Sequence, residues 1–169
     1  MRKILFILAF PLLIIGASSP FSEGVELFQK GKLQEAEEKF LQALKEDPTD
    51  PYTLSWLGFI EMRLEKYGEA EEHLQKALSI NPRLAESWNN LGSLYIAIGE
   101  LDKAIEAYQK AVQAKPSFAD AFYNLGTAYL GKGDLEEAIS ALGTAVKLSP
   151  GNALYHNTLG LALRRKERL

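Results

Sequence analysis

Cysteine is absent from the 169 residues. That excludes a disulfide framework, cysteine-rich zinc sites, thioether-attached haem and a lipidated N-terminal cysteine. Histidine occurs twice, as His73 and His156, with no His-x3-His spacing or His/Asp cluster to make a metal site. No nucleophile elbow, phosphate-binding glycine loop or Cys/His pair is present, and the glycines of "GKGD" (Gly131 to Asp134) lack P-loop spacing. An enzyme is therefore not expected, nor a cofactor or metal.

Long apolar runs are also missing, apart from the first residues. "MRKILFILAFPLLIIGASSP" places Arg2 and Lys3 before an apolar run, Ile4 to Ile15, followed by Gly16, Ala17, Ser18 and Ser19. This is the layout of a secretory signal peptide, with cleavage after Ala17, Ser18 or Ser19. As a helix the run would reach roughly 18 Å, short of the roughly 30 Å hydrocarbon core of a bilayer. Two alternatives are an uncleaved anchor over residues 4–17 and a buried N-terminal helix, both opposed by Pro11. The expectation is an exported protein, periplasmic or secreted, that touches a membrane only if this segment is retained.

Without Arg2 and Lys3 the chain has 17 basic residues against 22 acidic ones, a net charge of −5. Nucleic-acid binding draws on phosphate neutralisation, so no nucleic-acid partner is expected. The basic tail "RRKERL" reads as a solvated helix end that complements the helix dipole.

What the sequence has in abundance is repetition. Pro48, Pro82, Pro116 and Pro150 are each 34 residues apart. Ala36, Ala70, Ala104 and Ala138 keep the same step, as do Ala43, Ala77, Ala111 and Ala145. Gly24, Gly58, Gly92, Gly126 and Gly160 keep it too. Such a step predicts a solenoid of like units. Within one unit, Trp88, Leu91, Gly92 and Tyr95 share a helical face, and Leu101, Ala104, Ile105, Tyr108, Ala111 and Val112 make a second stripe. Gly99 supplies the turn and Pro116 stops the second helix, so the unit is a helical hairpin. Gly92 and Ala104 suit close helix approach, and Trp88, Tyr95 and Tyr108 are expected to fill gaps between hairpins.

"WNNLGSLY" (Trp88 to Tyr95), followed by Ala104, Tyr108, Ala111 and Pro116, resembles the tetratricopeptide repeat at each of its marker positions. The resemblance runs from about Ser22 to Leu169 and implies an all-α, right-handed α-solenoid of 34-residue helix-turn-helix repeats. The divisions expected are a signal segment over 1–19, a shortened first repeat over 20–50, repeats over 51–84, 85–118 and 119–152, and a partial repeat or capping helix over 153–169. Ser22 is the expected N-cap of the shortened repeat. The last helix is expected to turn a polar outer face, Arg164 to Arg168, to solvent.

Opposite the packing face of each first helix lies a second stripe. It comprises Tyr52, Ser55, Trp56, Phe59 and Arg63, then Glu86, Asn89, Asn90, Ser93 and Ala97. Asp120, Tyr123, Asn124, Thr127 and Gly131 follow, with Leu154, Asn157 and Thr158 at the end. The resemblance implies that this side lines a concave groove holding a peptide or helix of another protein. Aromatics supply rigid apolar area and Asn90 and Asn124 paired donors and acceptors; equally, Trp56 and Phe59 suit packing on the shortened first unit. With Arg63 the one cation before the cap, the lysine/arginine clamp of some tetratricopeptide proteins for a C-terminal carboxylate is not expected. The carboxylates of "LQEAEEKF" and "GDLEEAIS" read as a solvated convex face. A second class of function, a structural assembly subunit of an envelope complex working through the ends of the stack, follows if the N-terminal segment acts as a tether.

Overall fold

The computed structural model describes residues 18–168. The expected signal segment, except Ser18 and Ser19, lies outside them. Among the described residues nine helices follow one another with no strand: α1 (Pro20–Gln29), α2 (Leu33–Glu46), α3 (Pro51–Arg63), α4 (Tyr67–Ile80), α5 (Ala85–Ala97), α6 (Leu101–Ala114), α7 (Ala119–Lys132), α8 (Leu135–Leu148) and α9 (Ala153–Lys166). None is long and apolar enough to cross a membrane. Odd-numbered helices pair with the even-numbered helix that follows, and successive odd helices α3, α5, α7 and α9 also touch. The result is an all-α solenoid whose first helices line one side.

Prolines set where the second helices end. α2, α4, α6 and α8 each stop two residues before a proline of the 34-residue series, because the residue preceding proline is pushed out of the helical region. The turn inside each hairpin is equally regular. Gly31, Gly99 and Gly133 adopt φ of 74°, 82° and 97°, and Glu65, the residue at the same step, adopts 62°. Past each of these the amide closes the turn: Lys32 donates to Leu27 O, Lys66 to Glu61 O, Glu100 to Tyr95 O and Asp134 to Tyr129 O, at 2.8–3.0 Å. These are Schellman closures, whose left-handed residue favours glycine; the second hairpin makes the same closure with glutamate.

Inside each hairpin a glycine lies under a large side chain sixteen residues on. A Cβ added at Gly24, Gly58, Gly92 or Gly126 would come within 3.0, 2.6, 2.6 and 2.6 Å of Phe40, Leu74, Tyr108 and Leu142 respectively. Phe40, Leu74 and Leu142 are fully buried, as are Ala36, Ala70, Ala104 and Ala138. Each buried large apolar side chain is worth roughly 1.5–3 kcal/mol of transfer free energy.

Several expectations are corrected. α1 begins at Pro20, capped by Ser19, whose hydroxyl accepts from the Ser22 amide at 3.2 Å; proline fits this first helical position because its missing donor would be unpaired anyway. Trp88 does not fill a closed gap: it is half-buried, donates to Pro82 O at 2.9 Å and lies under the Lys110 ammonium. One carboxylate of the supposed solvated face, Glu37, is buried, and so is Glu61 on α3, to which the sequence assigned no role. Glu37 accepts from Lys66 at 2.7 and 2.8 Å, and Glu61, 3% exposed, bonds His73 Nδ1 at 2.8 Å. Arg164 to Arg168 are exposed, and α9 exposes apolar surface as well, at Leu154, Leu161 and Leu163, which are 54%, 50% and 43% exposed.

Candidate functional site

A cleft of about 460 Å³ opens between α3 and α5 on the side lined by the first helices. Tyr52, Ser55, Trp56, Phe59, Leu84, Glu86, Ser87, Asn89, Asn90 and Phe118 surround it. Seven of these ten belong to the stripe expected from sequence. Asp50 aims the entrance: its carboxylate caps α3, accepting from the Tyr52 and Thr53 amides at 3.3 and 2.9 Å, which leaves Tyr52 57% exposed at the rim.

The two alternatives for Trp56 and Phe59 prove compatible. Trp56 stacks on Phe40 at 5.7 Å and meets Phe28 edge-on at 5.4 Å; Phe59 meets Phe28 at 5.5 Å. Packing on the first hairpin thus fixes their orientation while both still line the cleft. At the opposite wall Ser87, with no exposed surface, donates to Ser55 Oγ at 2.6 Å. Two hydroxyls pairing there leave the volume that a larger residue would fill.

The rim facing Tyr52 carries charge. Lys115 bonds Glu86 at 2.7 Å and sits 5.0 Å from the centre of the Phe118 ring. That bond outweighs the opposing effect of partial burial and holds the Glu86 carboxyl below its usual range. Asn90 makes no side-chain hydrogen bond among the described residues, so its amide donors and acceptor are available to a bound backbone.

Models of the tetratricopeptide repeat match residues 51–84, 73–106 and 119–152, and a TPR repeat model matches residues 92–133. MamA is 32% identical in sequence, with 85% of this chain and 84% of that one aligned at a TM-score of 0.76. The chain belongs to the tetratricopeptide repeat family. Its fold is that of a protein-interaction scaffold. MamA 41-end from Desulfovibrio magneticus RS-1 is 28% identical over 88% of this chain and 84% of that one, with a TM-score of 0.77. The chain is also similar to the structure of the APC/C hetero-tetramer Cut9–Hcn1: 25% identity, 85% of this chain, 29% of that one, TM-score 0.79. No curated protein matches the sequence.

The rest of the tetratricopeptide stripe is not gathered at the cleft. Ser93 turns toward α6, where its hydroxyl meets Tyr108 Oη and donates to Asn89 O, each at 3.1 Å. Asn124 donates to Asn89 Oδ1 at 2.9 Å and is partly engaged. Tyr123 stacks on Tyr155 at 4.9 Å between ring centres. Asp120 accepts a hydrogen bond from Tyr155 Oη; burial first, and then this bond, push the phenol up to about 12. Thr127 is exposed and bonds Tyr123 O, and Asn157 is exposed on α9. These residues continue the concave side as a closed surface in which α7 and α9 are stitched together.

Three cleft residues escaped the sequence reading. Leu84 and Phe118 lie in the loops just before α5 and α7, outside any helical-face argument. Ser87 is polar yet fully buried. Comparing repeats would have exposed it: Thr53, Ser87, Ala121 and Tyr155 occupy one column of the 34-residue alignment, and only the last is large. Among the described residues no three His, Asp or Glu side chains converge on a metal-sized site.

Proposed function

We propose that the protein is a non-catalytic scaffold that holds an extended peptide or a helix of a partner protein along its concave side, with one apolar side chain of that partner seated between α3 and α5. The observation that carries this reading is the cleft itself: aromatic and aliphatic walls from Tyr52, Trp56, Phe59, Leu84 and Phe118, with the Asn90 amide at hand. An anchor side chain in such a pocket, oriented by a few polar groups, is the common energetic design of peptide recognition. Cut9 is seen in a hetero-tetramer with Hcn1, which supports a protein as the partner. The charged pair Glu86–Lys115 at the rim gives the site a polar border.

The N-terminal segment supports export as the setting. Two experiments test the reading. A photoreactive side chain at Asn90 in native cells should crosslink one principal protein, and the same group at Lys103, on an even-numbered helix, should not. Crosslinking from Lys103 with none from Asn90 would move the function to the outer surface. Mass spectrometry of the mature N-terminus should begin between Ser18 and Pro20; retention of Met1 would support instead a membrane-tethered assembly subunit.

A further inference from the structure

The 34-residue register shows what fills the space between neighbouring first helices elsewhere in the stack. Tyr123 on α7 and Tyr155 on α9 stand two repeats beyond Ser55 on α3 and Ser87 on α5. In the later junction the two rings stack, with centres 4.9 Å apart. In the earlier one two hydroxyls meet at 2.6 Å and the cleft opens where the rings would lie. The space is therefore one that an aromatic ring fits. Its walls suit the same occupant: Trp56, stacked on Phe40, and Phe59, set nearly at right angles to Trp56, both line the cleft. The serine pair adds a polar handle. Ser87 donates to Ser55 Oγ, so the Ser55 hydroxyl hydrogen, with no acceptor among the described residues, is left for an oxygen of the occupant.

We propose that the partner segment held in this cleft anchors itself with a tyrosine, its ring against Trp56 and Phe59 and its phenol oxygen accepting from Ser55, and carries an acidic residue within about three positions that pairs with Arg63. Charge supplies the second half of that motif. Arg63 stands one helical turn past Phe59 on the same stripe, exposed and in no ion pair among the described residues. The equivalent positions on α5 and α7 are Ala97 and Gly131, which bring it no carboxylate. Glu86, the one carboxylate among the cleft residues, is already held by Lys115. Seven residues separate Trp56 from Arg63, roughly 10 Å along a helix, which is the span of about three residues of extended chain. The inference rests on the peptide-binding reading of the cleft and names its ligand.

Short synthetic peptides test it. Isotope-labelled full-length protein is titrated with the end-capped peptide EAAYAAE and with versions carrying leucine for tyrosine or glutamine for both glutamates, and amide and indole shifts are followed by NMR. The expected result is saturable shifts at the Trp56 indole, Asn90 and Phe118, with the leucine peptide binding about three- to tenfold more weakly. The glutamine peptide should also bind more weakly and with a flatter salt dependence, and Arg63→Gln should erase the difference between it and the parent peptide. Ser55→Tyr combined with Ser87→Ala replaces both hydroxyls and supplies the ring found two repeats on; the protein should stay folded and the shifts should vanish. A leucine peptide that binds as tightly as the tyrosine one overturns the aromatic anchor, and equal binding of the glutamine peptide overturns the acidic neighbour; shifts at the same residues would then still leave the cleft a peptide site. No shift with any of the peptides, while crosslinking from Asn90 persists, overturns the inference alone, and loss of both removes the reading beneath it. Shifts that grow with protein concentration in the absence of peptide would identify a second copy as the occupant and overturn it equally.

Discussion

Glu65→Gly should stabilise the protein even though it removes a charged side chain and adds the most mobile residue. Glu65 sits at φ 62° in a turn where the three equivalent hairpins use glycine. The left-handed conformation costs an L-residue roughly 1–2 kcal/mol through the approach of Cβ to the following carbonyl. Against this, glycine gives the unfolded chain extra freedom worth about 0.4–1 kcal/mol. The carboxylate is exposed and makes no ion pair or side-chain hydrogen bond among the described residues, so nothing else is lost. The net gain should be about 0.5–1 kcal/mol, a rise of roughly 2–4 °C in melting temperature per kcal/mol for a chain of this length. The mirror substitution Gly99→Ala should lose a similar amount by the same two opposing effects. Urea titrations followed by circular dichroism measure both, with unchanged slopes required for the comparison. If Glu65→Gly lowers the midpoint, or if Gly99→Ala raises it, the argument from backbone strain is wrong.

The glycines beneath large side chains should split by sign. Gly92→Ala, whose Cβ would lie 2.6 Å from the Tyr108 ring, should cost about 1–3 kcal/mol, whereas Gly160→Ala should gain about 0.5–1, both by denaturant titration. Phe40→Ala, at a site with no exposed surface, should cost about 3–5 kcal/mol, and Trp88→Ala, half-exposed, only about 1–2. Stability should fall as pH rises above the ordinary histidine value of 6.5. The bond to Glu61, despite burial, raises His73 above its ordinary 6.5, so its contribution is complete below that value and is lost as pH climbs through the raised one. Midpoints measured across that range should flatten in His73→Gln; a parent whose stability increases with pH there would contradict the assignment. Tyr52→Ala should alter stability by under about 0.5 kcal/mol yet reduce partner crosslinking from Asn90.

The 34-residue step made the helices, their pairing and their stops legible, because one proline, one glycine and two alanines per unit each have a backbone or packing reason to be where they are. Seven of the ten cleft residues were legible as well. Tyr52, Ser55, Trp56, Phe59, Glu86, Asn89 and Asn90 follow from asking which residues the packing face leaves over. What helical spacing cannot show is depth. The same column that holds Ser55 holds Tyr123 two units on, and the neighbouring column holds Ser87 and then Tyr155, so one junction is hollow and another is filled by stacked rings. Volume differences between equivalent positions, rather than the pattern they share, decide where a pocket lies. The α1 start and the turn at Glu65 were missed for a simpler reason: local capping geometry at Ser19 and the demand of a Schellman closure overrode the preferences of individual residues.

The joins between neighbouring hairpins are unequal, and that inequality orders how the stack comes apart. Phe21, Phe28, Phe40, Trp56 and Phe59 interlock at the first join. At the other end α9 buries only Tyr155 and Ala162. A linear array opens from whichever edge is held least. Amide exchange should therefore be fastest in α9 and slow progressively toward the aromatic join, a fraying front that travels along the chain in one direction. A front that starts at α9 must cross α8 and α7 before it reaches α5, so the hairpins that form the cleft keep their shape while the far end frays.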